Sequence, residues 1–418
     1  MSASPHPRRR SDFRESDDAT NTNTQKPPKK RARTTLDNTA DDDYQMYKYD
    51  ASTYNPSPRA SRASSSRADI VPPYSDEDQE KCQNLCINCK KTTKPVCKYI
   101  ILRYMHHTFS AVPEAEKQVY AGTMKQTGSY QGYKLRQYWH IDNGVRDQLE
   151  HYNINRDTTK RTHPEAVRPF LPEISAFARH MHFDVLHPVL RLLALGLGLP
   201  EDELVNLHNF DGVGETYVRP PIPLCISLRL LTNLPPTVAT PRTPAEESAT
   251  HNVWLKGHTD FGTITILCSQ PVAALQILTP GPDGKWRWVR HVENALVINA
   301  GDAMEFLSGG VYKATIHRVV QPPPDQHHLT RLGVFYFCMT DDFVRLAPLQ
   351  VSPSFLLHNG DEQRFADAEA PTMEAWRKAR TSAYGTTQLT RKASADADGE
   401  GRSVEEEVIG GVVVKHYN

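Results

Sequence analysis

With 418 residues, 38% hydrophobic and 23% charged, the chain can bury one substantial core and still carry disordered flanks. Basic and acidic residues balance at 49 each, which removes any overall electrostatic pull toward nucleic acid or an anionic membrane. No apolar run approaches a membrane span, residues 1–10 lack the apolar core of a secretory signal, and seven scattered cysteines suit a reducing compartment. The expectation is a soluble cytoplasmic protein with no membrane or nucleic-acid partner.

Residues 1–74 are rich in Ser, Thr, Asp, Arg and Pro and poor in aliphatic side chains, so they cannot repay the entropy of ordering and read as a disordered tail. Within it, Arg8-Arg9-Arg10 and a second basic cluster at 26–33 have the look of a bipartite nuclear-import signal. An import receptor is the partner they would engage, and the nucleus the alternative location. In the divergent segment 75–112, Cys82, Cys86, Cys89 and Cys97 fall within sixteen residues. Their spacing lacks the paired CxxC hooks of a zinc ribbon, so incidental thiols and a small zinc site both remain open readings.

From Pro113 the pattern becomes domain-like. Residues 113–120 open as a helix with acids in the first turn, and the Tyr- and Gly-rich stretch 128–138 reads as an irregular loop or short strand. Apolar residues at three- and four-residue steps, from Ile174 to Leu193, predict one scaffold helix over 172–197, stopped by Pro200 and followed by a short helix at 201–207. The helical part spans 113–224. Strand-like runs then occupy 226–231, 253–256, 263–268, 275–279, 286–289, 295–299, 303–307, 313–320 and 332–339, punctuated by Gly, Pro, Asn and Asp. The predicted fold is α+β, mainly β: a double-stranded β-helix, or jelly roll, over 225–385, carried on the N-terminal scaffold helices. A helix at 371–380 packs on it, and 386–418 reads as a second disordered tail whose only sticky part is 408–414.

The chemistry concentrates in His258-Thr259-Asp260. Two positions apart on a strand, imidazole and carboxylate share a face and offer two metal ligands from one segment. His317, on a later β-like run, supplies a second imidazole. Two histidines and a carboxylate with open positions are the facial triad of non-haem Fe(II) centres. His140-Ile141-Asp142 has the same spacing but precedes the scaffold helix, which points to a structural or pocket-rim role. His251, His291, His327 and His328 read as loop or surface residues, while turn and strand roles suffice for Lys256, Asn299 and Asp302.

The runs HTDFGTITIL, VINAGDAMEFLSGGVYKATIHRVVQPP and RLGVFYF resemble the catalytic core of the Fe(II)- and 2-oxoglutarate-dependent dioxygenases, and within them the isopenicillin N synthase-like group of fungal type. The resemblance implies that His258, Asp260 and His317 bind Fe(II). It also implies that Arg331 binds the distal carboxylate of 2-oxoglutarate, a role that its planar guanidinium fork suits. It implies O2 and 2-oxoglutarate as cosubstrates, ascorbate as an auxiliary reductant, and a small organic substrate of the specialised-metabolite class that is hydroxylated or desaturated with release of succinate and CO2. Where the family often has Arg-x-Ser, this chain has Gly333, and residues 76–107 do not resemble the family's usual opening. The competing readings are an oxidase of the same fold that does without 2-oxoglutarate, against which Arg331 speaks, and a non-catalytic nuclear protein built on the basic tail and cysteine cluster.

Overall fold

The structure, a computed structural model, describes residues 111–220, 242–281, 284–327, 329, 331, 333–349, 369–383, 390–393, 403–409 and 411–417. The tail at 1–74, the four clustered cysteines, the strand expected at 226–231 and His328 lie outside these residues.

The helical front begins with α1 (Glu114–Val119), whose Glu114 and Glu116 occupy the first turn where free N–H groups favour acids, and α2 (Met124–Thr127). Strands β1 (Gly132–Lys134), β2 (His140–Asp142), β3 (Val145–Arg146) and β4 (His151–Asn155) follow, with β1 and β4 buried throughout. The aromatic stretch 128–138 thus contributes a short core strand. In place of one scaffold helix there are two, α3 (Leu171–His180) and α4 (His187–Gly196), joined by a π-helical turn, Met181–Leu186. Pro188 has no N–H for the carbonyl four residues back, so the ladder slips by one residue ahead of it. The wide turn presents His182 inward, where Nδ1 pairs with the Tyr336 hydroxyl at 2.8 Å and Nε2 with the His208 carbonyl at 2.9 Å. Helix α5 (Glu203–Asn206) and strand β5 (Tyr217–Arg219) complete this half.

Helix α6 (Pro244–Ala249) starts with a capping box between Thr243 and Glu246. After it come β6 (Val253–His258), β7 (Ile264–Cys268), β8 (Leu275–Leu278), β9 (Trp286–Trp288), β10 (Leu296–Ala300), α7 (Asp302–Leu307), β11 (His317–Val320), β12 (Phe335–Cys338) and α8 (Met373–Ala383). Three C-terminal strands, β13 (Thr390–Ala393), β14 (Ser403–Ile409) and β15 (Val412–Tyr417), end the chain. All pair antiparallel, β2 with β3 as a separate hairpin and the others in two large sheets, one ordered β1-β4-β5-β12-β7-β10 and the other β13-β14-β15-β6-β11-β8-β9. The core is a jelly roll. α3 and α4 bury Ile174, Ala178, Leu190 and Ala194 in one apolar cluster with Ile264, Ile266 and Tyr336 of the sheet.

Three further expectations are corrected. Residues 303–307 form a helix, α7, and not a strand: Gly301 caps it, Asp302 and Glu305 sit in its first turn, and every residue from Asp302 to Leu307 is buried. Five apolar-rich residues fit either period when both faces are covered. The run 313–320 is extended in the sheet only from His317. Finally, the reading of 386–418 as a disordered tail is wrong for its described residues, because β14 and β15 form a hairpin continued onto β6 through Tyr417 and Gly257. The hairpin alternates, with Glu407, Ile409, Val412, Val414 and His416 buried and Val408 and Val413 exposed. Lys256 of β6 pairs with Glu405, and His416 bonds Glu407 at 2.8 Å. Burying Ile409, Val412 and Val414 stabilises by about 1.5–3 kcal/mol each as an upper bound. Deleting residues 403–418 is therefore expected to lower the melting midpoint by about 10 °C or more. An unchanged melting curve for the truncated protein would mean that the hairpin contributes nothing to the domain.

Candidate metal and cosubstrate site

Strands β6 and β11 lie side by side with His258 directly opposite His317, and Asp260 turns back from the end of β6. One atom from each of the three side chains lies within 4.8 Å of the others. Asp260 Oδ1 is 3.9 Å from His258 Nε2 and 3.8 Å from His317 Nε2, with the imidazole centroids 4.4 Å apart. Both rings are oriented from behind, since His258 Nδ1 donates to the Lys256 carbonyl at 2.8 Å and His317 Nδ1 to the Thr315 carbonyl at 3.0 Å. That arrangement leaves each Nε2 lone pair facing the shared point. Burial, then the neighbouring His317, pushes His258 down to about 3, so the ring is neutral and ready to act as a ligand.

Asp260 is prepared in the same way. Its Oδ2 accepts from Thr265 Oγ1 at 2.7 Å and from Asn299 Nδ2 at 2.9 Å, while Oδ1 faces the imidazoles. Burial opposes ionisation, but the two histidines and these hydrogen bonds outweigh it and hold the carboxyl below its ordinary range. The backbone is clamped as well: Asp302 N–H donates to the Asp260 carbonyl at 2.7 Å, and Arg380 Nη2 to the Thr259 carbonyl at 2.9 Å. Gly301 permits this approach, for a Cβ there would sit 2.6 Å from the Asp260 carbonyl oxygen. Sequence reasoning gave Asn299 and Asp302 only strand and turn roles. Their position in VINAGD, beside a candidate ligand turn, was the available signal. Asn299→Ala should weaken Co(II) binding about 10-fold or more, the usual cost of losing a group that orients a ligand. An affinity equal to that of the unmodified protein in a spectroscopic titration would reduce Asn299 to packing.

These groups open into one cavity that Arg331 also lines. Arg331 lies just before β12 and not on a strand, yet it is only 3% exposed and its Nε has no hydrogen-bond partner. Burial lowers its pKa to about 10, so it remains charged at neutral pH, and no carboxylate pairs with it among the described residues. The walls beside it are apolar, including Leu267, Val297 and Phe335. At Gly333, a Cβ would come within 2.3 Å of Phe335 Cε2, so a serine there would require that ring to move.

Among the described residues, His258, Asp260 and His317 are the group whose ligand atoms converge. His140 and Asp142 sit on the separate β2–β3 hairpin, with His140 exposed. His291 bonds Ser269 at 2.8 Å, and His251 occupies a turn at φ 50°. Sequence reasoning missed Thr265, Arg380 and Arg219 as cavity groups. The donor set fits a divalent first-row metal: two imidazole nitrogens and one ionised carboxylate, each oriented by a second hydrogen bond. A buried guanidinium without an acid fits an anionic ligand.

Residues 234–340 match the family model of the 2OG-Fe(II) oxygenase superfamily. The chain is 30% identical over 179 residues to the 2-oxoglutarate-dependent dioxygenase FG08081 of Gibberella zeae, covering 43% of this chain and 47% of that protein. It is 28% identical over 215 residues to flavonol synthase 1 of Crocosmia x crocosmiiflora, covering 50% and 56% respectively. It thus spans about half the length of these curated relatives. A full-length Neurospora crassa protein, solved in complex with alpha-KG, superposes with a TM-score of 0.53 at 20% identity, over 69% of this chain and 83% of that one, a likeness of fold. The segment that matches the 2OG-Fe(II) oxygenase superfamily model carries both β6 with its HTD turn and β11, the strands that bring His258, Asp260 and His317 together.

Proposed function

We propose that the protein is an Fe(II)- and 2-oxoglutarate-dependent dioxygenase that hydroxylates or desaturates a small organic substrate, with His258, Asp260 and His317 as the iron ligands. The observation that carries this reading is Arg331, a buried cation without an acid partner among the described residues, in the same cavity as the three convergent ligand atoms. Bound there, Fe(II) would supply the coupling of O2 reduction and 2-oxoglutarate decarboxylation, giving succinate and CO2, to oxidation of the substrate. The chain's share is orientation and exclusion of water. Lys256 and Thr315 carbonyls fix the imidazole tautomers, Thr265 and Asn299 fix the carboxylate, and the Arg331 fork accepts the distal carboxylate of 2-oxoglutarate. The similarity to fungal dioxygenases supports a specialised metabolite as substrate class. The test is binding and turnover. Protein loaded with Co(II) should change its visible spectrum on addition of 2-oxoglutarate, and protein with Fe(II), ascorbate and O2 should form succinate from it. Absence of both responses would remove the reading.

We also propose that residues 8–10 and 26–33 direct nuclear import, a reading supported by their basic composition and spacing. A fluorescent protein fused to residues 1–40 should concentrate in nuclei. An even distribution through the cell counts against it. Among the described residues, no helix is long and apolar enough to cross a membrane.

A further inference from the structure

Three guanidiniums line the cavity, those of Arg219, Arg331 and Arg380. Arg380 lies 3.4 Å from Asp302, and Arg331 is assigned above to 2-oxoglutarate. Arg219 ends β5, where the register places Phe335 opposite Arg219 and Phe337 opposite Tyr217. Its guanidinium carbon is 4.6 Å from the Phe337 ring centroid, 5.7 Å from Tyr130, 5.8 Å from Phe335 and 5.9 Å from Tyr217. Nε donates to Asn153 Oδ1 at 2.8 Å, and Nη2 is 3.4 Å from His151 Nε2. No carboxylate pairs with it among the described residues. Glu150, an acid that also lines the cavity, is held by Lys117 at 2.8 Å and Arg136 at 3.4 Å. Asn153 and the surrounding rings therefore fix the fork in advance while leaving its charge uncompensated.

We propose that Arg219 binds the carboxylate of the organic substrate, and that this substrate is a flat apolar acid whose body stacks among Tyr130, Tyr217 and Phe337. The inference deepens the oxygenase reading and rests on it for the word substrate, but the site is defined by its own residues. A carboxylate suits a preset planar fork in an apolar surround, where a charge-assisted pair is strong, and the rings beside the fork favour an aromatic or conjugated body over a polar one. Arg219 would then set which molecule enters and how it lies, separately from the group that receives 2-oxoglutarate.

The experiment compares trans-cinnamate with methyl cinnamate, probes of one shape that differ in charge, by quenching of protein fluorescence with 2-oxoglutarate and Co(II) present. The unmodified full-length protein should bind the acid at least tenfold more tightly than the ester. Arg219→Met should abolish that preference by weakening the acid, Arg219→Lys should keep part of it, and Arg331→Ala should keep it whole. Circular dichroism checks that each variant is folded, and the contrast within the unmodified protein stands even if one is not. Equal binding of acid and ester, failure of both to bind, or loss of the preference in Arg331→Ala but not in Arg219→Met would each overturn the proposal. Failure of 2-oxoglutarate to bind, with the acid preference intact and dependent on Arg219, would instead remove the oxygenase reading and leave this acid site standing.

Discussion

Asp260→Ala should reduce metal affinity by a factor of about 100 or more, beyond the 10–100-fold typical of losing a group that merely orients a ligand. Asp260 is the sole anion among the three convergent side chains, so without it a divalent ion would face two imidazoles and no negative charge in a mostly buried site. The vacated space also leaves Thr265 Oγ1 and Asn299 Nδ2 without the acceptor they share, at about 1–3 kcal/mol for the buried Thr265 donor and less for the half-buried Asn299. A modest loss of apo stability should therefore accompany a large loss of metal-induced stabilisation. Co(II) titration of the folded variant measures the metal affinity, and thermal melts with and without metal measure the two stability changes. Retention of affinity within about threefold of the unmodified protein would show that the carboxylate is not a ligand, since such a change is only ~0.7 kcal/mol.

The sequence made the jelly roll legible because its strands are short, alternating and bounded by turn residues, and because HTD and the distal histidine fall on strands that proved to be neighbours. It misled where two periods coincide. Ala303, Met304, Phe306 and Leu307 satisfy a buried strand and a buried helical turn alike, and only the Gly301 cap with Asp302 behind it tips the segment into α7. The C-terminal hairpin failed for a different reason. Residues 386–402 are polar, whereas the Val-Ile-Gly-Gly-Val run that follows is a hairpin signal with alternating apolar flanks, and Gly411 takes φ 84° at its turn. The π-helical turn was foreshadowed by Pro188, which the apolar periodicity on either side of it obscured.

For the candidate site, ligand types and spacing were readable, whereas the groups that orient them were not. Asn299 reaches Asp260 only because β10 pairs with β7 and α7 turns the following chain back over the HTD bend, a relation between segments far apart in sequence. Arg219 is hidden for the same reason. On its own strand it is one basic residue before two prolines, and its significance comes from four rings and one asparagine delivered by other elements. Motifs record what a short segment can do. Charge compensation belongs to the assembled cavity.

Arg331→Ala should weaken 2-oxoglutarate binding by about 100-fold or more and leave Co(II) affinity within about twofold. Removing one partner of a buried, charge-assisted pair costs about 3–5 kcal/mol, and here the surviving partner would be the dianion's distal carboxylate, set against Leu267, Val297 and Phe335 with no second cation assigned to it. Gly333 offers no hydroxyl to share the load, which makes this chain more dependent on its arginine than a relative with serine at that position. Metal affinity should stay because none of the hydrogen bonds that orient His258, Asp260 and His317 comes from Arg331. The apo protein should not suffer, and burial of an uncompensated cation, which already depresses the Arg331 pKa to about 10, implies that alanine relieves a cost in the ligand-free state. The expected signature is therefore a variant whose melting midpoint without ligand is equal to or above that of the unmodified protein, whose Co(II) spectrum is normal, and whose response to 2-oxoglutarate is lost. Unaltered 2-oxoglutarate affinity in that variant would place the cosubstrate elsewhere and withdraw the role proposed for Arg331.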